Sequence, residues 1–87
     1  MLILNADAVK VSQNNIQGNS DVGILIFSDG GIFKNNKVFD KGIDHPNSCC
    51  DVGIWDGGDD NTVTNNKVRG FDVPYEGVTG GKNKAVP

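Results

Sequence analysis

The residues equipped for chemistry gather in two stretches of an 87-residue chain. One runs from Asp40 to Asp51 and holds Asp40, Lys41, Asp44, His45 and Asp51. The other runs from Arg69 to Gly77 and holds Arg69, Asp72, Tyr75 and Glu76. Paired carboxylates suit glycoside hydrolysis, one as acid and the other as base or nucleophile. Carboxylate oxygens also suit Ca²⁺, with Arg69 or Lys41 assisting proton abstraction in a lyase. On this reading Asp44, Arg69, Asp72 and Glu76 are the catalytic candidates, and Asp40, His45 and Tyr75 the ligand-binding ones. The competing reading is that these are solvated charges on surface loops. His45 with Cys49 and Cys50 offers only three N/S ligands and no C-x-x-C spacing, so no metal site is assigned. The cysteines are adjacent, which is poor geometry for bridging each other.

The elements that position these stretches form a repeat. Val63-Thr64-Asn65-Asn66-Lys67-Val68 has two earlier copies, Phe33-Lys34-Asn35-Asn36-Lys37-Val38 and Val11-Ser12-Gln13-Asn14-Asn15-Ile16. The common pattern is apolar, two variable residues, Asn, one variable residue, apolar. Its asparagines, Asn14, Asn36 and Asn66, recur at steps of 22 and 30 residues. Asp21-Val22-Gly23-Ile24 and Asp51-Val52-Gly53-Ile54 recur in phase, 30 residues apart. From Ile24 to Phe33, and from Ile54 to Val63, the distance is nine residues. The other connection varies: five residues separate Ile16 from Val22 and thirteen separate Val38 from Val52. If Val78 marks a third copy, nine follow Val68. One constant and one variable side describe a stacked coil with insertions on one face. The candidate residues fall on the variable side.

Each coil is expected to be built from short strands. Gly23-Ile24-Leu25-Ile26-Phe27 reads as a buried strand and Ser28-Asp29-Gly30-Gly31 as a turn, matched one coil later by the acidic turn Asp56–Asn61. Val9 and Val11 share one face of an entering strand. No 3.6-residue apolar stripe of useful length occurs, so helices are not expected. Asparagine tolerates the left-handed region that tight corners need. Its amide can also donate to and accept from the same amide one layer away. Asn14, Asn36 and Asn66 are therefore expected to stack as a structural ladder. Trp55 is expected to pack in the core against Phe33 or Phe71, with stacking on a sugar ring as the alternative. Residues 79–87 show no pattern and read as a tail.

The net charge is -3 and Arg69 is the only arginine. No basic patch is evident, which disfavours nucleic acid. A weakly acidic protein suits a divalent cation or a neutral glycan. No apolar run reaches membrane-spanning length. Met1-Leu2-Ile3-Leu4 is too short for a signal peptide, so an extracellular or cell-surface setting implies a piece of a longer secreted protein.

The repeated φ-x-x-Asn-x-φ followed by Val-Gly-Ile resembles the right-handed parallel β-helix of pectin-lyase-like proteins, over roughly residues 9–78. That resemblance implies an all-β solenoid of about three coils, near 9–30, 31–60 and 61–78, within a repeat domain spanning 1–78. It also implies ligands on the lateral face beside the long loops, and a polysaccharide or glycan as partner. The alternatives are a small lyase, hydrolase or epimerase of that group, or a structural, self-associating module. Gly58-Asp59-Asp60 is similar to a stretch of polygalacturonase-type hydrolases, whose companion stretches are missing. Gly70-Phe71-Asp72-Val73-Pro74-Tyr75-Glu76 is similar to a stretch of alginate epimerases, with an extra Val73 and with Tyr75 in place of a histidine. Apolar columns running to both ends, with no capping helix, lead to an expectation of end-to-end association.

Overall fold

Short runs of Val, Ile, Thr and Phe broken by Gly, Asn and Asp form strands too short to stand alone, and each is stabilised by its copy one coil away. The computed structural model describes residues 2–18, 22–40, 51–78 and 81–86. Among them the regular elements are all strands: β1 (Leu2–Leu4), β2 (Lys10–Ser12), β3 (Asn15–Gly18), β4 (Val22–Ile26), β5 (Ile32–Lys34), β6 (Lys37–Asp40), β7 (Val52–Asp56), β8 (Thr62–Thr64), β9 (Lys67–Arg69), β10 (Val73–Glu76) and β11 (Lys84–Val86). They form three sheets, ordered β1-β4-β7-β10, β2-β5-β8 and β3-β6-β9-β11. All pairings are parallel. The chain visits the first, second and third sheets in turn on three passes. A fourth pass adds β10 and β11. This is a right-handed parallel β-helix.

The registers match the expected columns. Val11, Phe33 and Val63 stack in the second sheet. Ile16, Val38 and Val68 stack in the third, and Val22 stands over Val52 in the first. Phe33, Ile24, Ile26, Ile54 and Val38 are fully buried. Burying each contributes about 1.5–3 kcal/mol against the entropy of ordering the coil.

Two tight corners repeat on every full pass. Between the second and third sheets, the residue before each ladder asparagine is left-handed: Gln13, Asn35 and Asn65 have φ of 57°, 57° and 55°. The ladder asparagines then turn inward. The Asn36 main-chain N–H and Nδ2 both donate to Asn66 Oδ1, each at 3.0 Å. The same pair from Asn14 reaches Asn36 Oδ1 at 3.1 Å. Each Nδ2 also donates to a main-chain carbonyl of the preceding coil, from Asn36 to Val11 at 3.2 Å and from Asn66 to Phe33 at 3.0 Å. The ladder is structural, as expected. The other corner, between the first and second sheets, carries an aspartate column. The Asp29 N–H donates to Asp7 Oδ1 at 3.3 Å, and the Asp59 N–H to Asp29 Oδ1 at 2.8 Å.

Glycine is required where the first sheet bends toward the third. A Cβ on Gly23 would collide with Val38 and with the Gly53 carbonyl; one on Gly53 would collide with Val68 and the Pro74 carbonyl. In the last coil Pro74 takes the glycine position, and Ala85 takes the valine position opposite it. A larger residue on one side is matched by a smaller one on the other.

Four expectations need correction. The third copy of the Val-Gly-Ile element is Val73-Pro74-Tyr75, not a segment at Val78, since Val73 pairs with Val52 and Tyr75 with Ile54. Pro and Tyr at the Gly and Ile positions hid it. Tyr75 and Glu76 therefore belong to β10, and Asp72 stands immediately before it, rather than in a long loop. Of the stretch 79–87 read as a patternless tail, the described residues 81–86 are ordered into the stack, because β11 pairs with β9 and Asn83 supplies a fourth rung, accepting from Asn66 N and Nδ2 at 3.2 and 3.0 Å. Trp55 is not in the core but 41% exposed. Val52 and Ile54 point inward, so strand alternation turns Trp55 outward.

Tyr75 occupies the column of Ile24 and Ile54 but ends in a hydroxyl. That hydroxyl lies beside the main-chain oxygens of Asn66, at 3.1 Å, and Lys84. It links the first sheet to the third across the last coil. Burial pushes the Tyr75 pKa up to about 12.

Three outcomes follow from this packing. Asn36→Ala strips a fully buried rung and leaves main-chain and amide groups unpaired, so urea unfolding should show a loss of about 1–3 kcal/mol. Asn14→Ala, at an exposed end, should lose less. Gly53→Ala pushes a methyl group against a main-chain carbonyl and should lose about 1–3 kcal/mol in the same assay. Tyr75 is the sole tyrosine. Its phenol ionises near 10 in the unfolded chain and near 12 in the folded one, so its stabilisation is intact below pH 10 and is lost as pH rises toward 12. Ultraviolet absorbance should follow its titration together with unfolding, and Tyr75→Phe should flatten that alkaline loss. Titration near 10 in the folded protein would contradict the placement.

Candidate functional site

The outer face of the first sheet is set by the alternation of its strands. Ile3, Leu25, Trp55 and Glu76 lie side by side in register on β1, β4, β7 and β10. Ile3 and Trp55 are exposed, at 53% and 41%, and Leu25 is half-buried. Phe27 follows β4 with its ring beside Gly57. It is also exposed. The result is an apolar platform crossing three coils, with an indole at one edge and a carboxylate on the next strand beside it.

The residues singled out from sequence are divided among different places. Asp40 ends β6 and lies beside Gly70 of the next coil, where its carbonyl and Cβ leave no room for a side chain. Arg69 ends β9 and Asp72 precedes β10, so Asp40, Arg69 and Asp72 share the corner between the third and first sheets. Asp51 is buried at the same corner, where its carbonyl accepts from the Val73 N–H at 2.8 Å. Glu76 is at the other end of β10, about 13 Å of extended chain from Asp72. Register alone therefore does not make a carboxylate pair of these two, since hydrolytic pairs stand about 5–10 Å apart. Tyr75 directs its hydroxyl to main-chain oxygens within the fold. Asp44, His45, Lys41, Cys49 and Cys50 lie outside the described residues. Among the described residues no three His, Cys, Asp or Glu side chains converge to hold a metal ion, and no helix is long and apolar enough to cross a membrane.

A second feature lies on the outer side of the third sheet. Lys37, Lys67 and Lys84 stand in register on β6, β9 and β11. With Lys82 and the corner residues Asn35 and Asn65 they line a cavity of about 340 Å³. Four of the seven lysines in the chain thus meet on one surface, so the expectation of no basic patch does not hold. The signal was present in Asn36-Lys37-Val38, Asn66-Lys67-Val68 and Asn83-Lys84-Ala85, three lysines each following a ladder asparagine. Net charge concealed it, because the aspartates collect on other corners. The Trp55 platform was equally readable from strand parity around Ile54.

Neither curated proteins nor solved structures give a match to this chain. A family model described as the right-handed β-helix region matches residues 1–84. That span includes β1 and the Asn83 rung, both of which the three-coil reading from sequence left at its margins. With period, asparagine column and parallel registers agreeing along nearly its whole length, the chain belongs to the right-handed β-helix family.

Proposed function

We propose that this chain is a carbohydrate-binding β-helix module. The observation that carries the reading is Trp55, held outward on the flat outer face of the first sheet among Ile3, Leu25 and Phe27, with Glu76 in register beside it. A pyranose ring has one face of C–H groups that stacks on an indole, and hydroxyls at its edge that donate to a carboxylate. Trp55 and Glu76 supply these two partners on adjacent strands, about 4.8 Å apart. Parallel β-structure holds the platform rigid, so little ordering entropy is lost on binding. The flat shape suits an extended polymer lying across the coils better than a small compact ligand, which needs a concave pocket.

Trp55 is the only tryptophan, so its fluorescence reports this face alone. Titration with neutral oligosaccharides should shift and saturate the emission. Trp55→Ala should weaken binding about tenfold by calorimetry while leaving the unfolding midpoint within experimental error. An emission that stays fixed across neutral oligosaccharides, in a protein shown to be folded, contradicts the reading.

A further inference from the structure

The solenoid carries two charged columns of opposite sign on two different corners. Lys37, Lys67 and Lys84 stand in register where the third sheet begins, about 4.8 Å apart at the backbone. All three are exposed, and like charges directly opposite on paired strands destabilise a sheet. Among the described residues none of them forms an ion pair or a side-chain hydrogen bond. Asp7, Asp29 and Asp59 are the reverse case, at the corner between the first and second sheets. They also recur once per coil and are exposed. The Asp29 N–H donates to Asp7 Oδ1 and the Asp59 N–H to Asp29 Oδ1, so the first two carboxylates are fixed by the main chain of the next coil. Among the described residues these aspartates have no lysine or arginine partner either.

We propose that the outer face of the third sheet is an interface for a second copy of this chain, whose aspartate corner seats against the lysine column. Pitch selects this occupant. A partner for the column has to present anions in a straight line at one strand spacing. A flexible polyanion loses ordering entropy in doing so. The aspartate corner has that spacing already, because the same parallel pairing sets both columns. The count agrees, three rungs against three. The lysines lie on the second, third and fourth passes of the chain and the aspartates on the first, second and third. The middle rungs, Lys67 and Asp29, therefore face each other whichever way the two axes run. Shape agrees as well, since the lysines border a cavity of about 340 Å³ and a corner of a solenoid is convex. Single exposed ion pairs contribute little, but three held on two rigid frames act together without further ordering. The contact joins different surfaces of the two copies, so each contact leaves one column of each sign free and a row grows head to tail. The Trp55 platform belongs to the first sheet and takes no part in it.

Sedimentation equilibrium of the full chain at several concentrations is the test, run at about 20 mM and about 500 mM salt, where the screening length falls from roughly 20 Å to roughly 4 Å. The average mass should rise with concentration at low salt and return to that of one chain at high salt. Lys67→Glu should raise the dissociation constant about tenfold at low salt, and so should Asp29→Lys. Combined in one chain, the two substitutions exchange the signs of the middle rungs and should restore association to within about threefold of the native chain. Lys67→Glu places a carboxylate between Lys37 and Lys84, so its unfolding midpoint should rise, which separates lost association from lost fold. Asp29→Asn keeps the acceptor for the Asp59 N–H and provides a second variant at the corner, with association weakened about threefold. A chain that stays monomeric at low salt and millimolar concentration overturns the proposal. So does a double variant that associates no better than the single ones. Association that survives high salt and ignores both single substitutions also overturns it, and would assign the contact to the apolar ends of the stack.

Discussion

The structure depends on one side-chain amide repeated at one corner. Turning a chain from one strand to the next in two residues leaves main-chain N–H groups pointing into the interior, away from water. In this chain each such group on Asn14, Asn36 and Asn66 is met by the Oδ1 of the next asparagine. The same amide returns a hydrogen bond to a carbonyl of the preceding coil. An aspartate could accept but not donate, and a serine would not reach both partners. Asparagine satisfies both needs, and its repetition sets the height of each layer to one strand spacing. The apolar columns of Val11, Phe33 and Val63, and of Ile16, Val38 and Val68, then follow in register on either side of it.

The ladder is also why so much of the fold is legible in the sequence. Apolar residues flanking an asparagine at fixed offsets can stack only when coils are parallel, so Asn14, Asn36 and Asn66 specified the architecture and two of its sheets. The fourth layer is harder to read. There the pattern survives in compensated form, with Pro74 and Tyr75 replacing Gly and Ile, and Ala85 replacing Val. A search for identical letters misses a pair whose sizes have been exchanged. Among the described residues no second-sheet strand appears on that pass, and the step between asparagines shortens from 30 residues to 17. Trp55 was misplaced for a different reason. Its hydrophobicity suggests the core, but Val52 and Ile54 occupy the inner positions of β7 and parity turns it outward.

The candidate surfaces illustrate how a solenoid turns sequence repetition into spatial repetition. A residue type recurring once per coil becomes a column with a fixed vertical spacing, whatever the chain distance between copies. Apolar side chains at outward positions of the first sheet become a platform, lysines after the asparagines become a charged column, and aspartates at the other corner become an acidic edge. None of these follows from the fold itself, which serves many unrelated functions. They follow from the outward residues, which the packing leaves unconstrained. Charges of opposite sign are held on separate edges by the rigid frame. A chain with a net charge of only -3 can therefore present a strongly basic strip.

The central claim is that the buried asparagine amides hold the coils together. Amide hydrogen exchange followed by nuclear magnetic resonance tests it most directly, because it reads each rung in the unaltered protein. The account predicts that the main-chain N–H groups of Asn36 and Asn66 and their side-chain Nδ2 protons exchange only on global unfolding. They should be as slow as the N–H groups of Ile24 and Ile54 in the core. Asn36 and Asn66 protons that exchange at the rate of an unfolded chain, while the Ile24 and Ile54 amides remain protected, would show that the apolar columns hold the stack without the ladder.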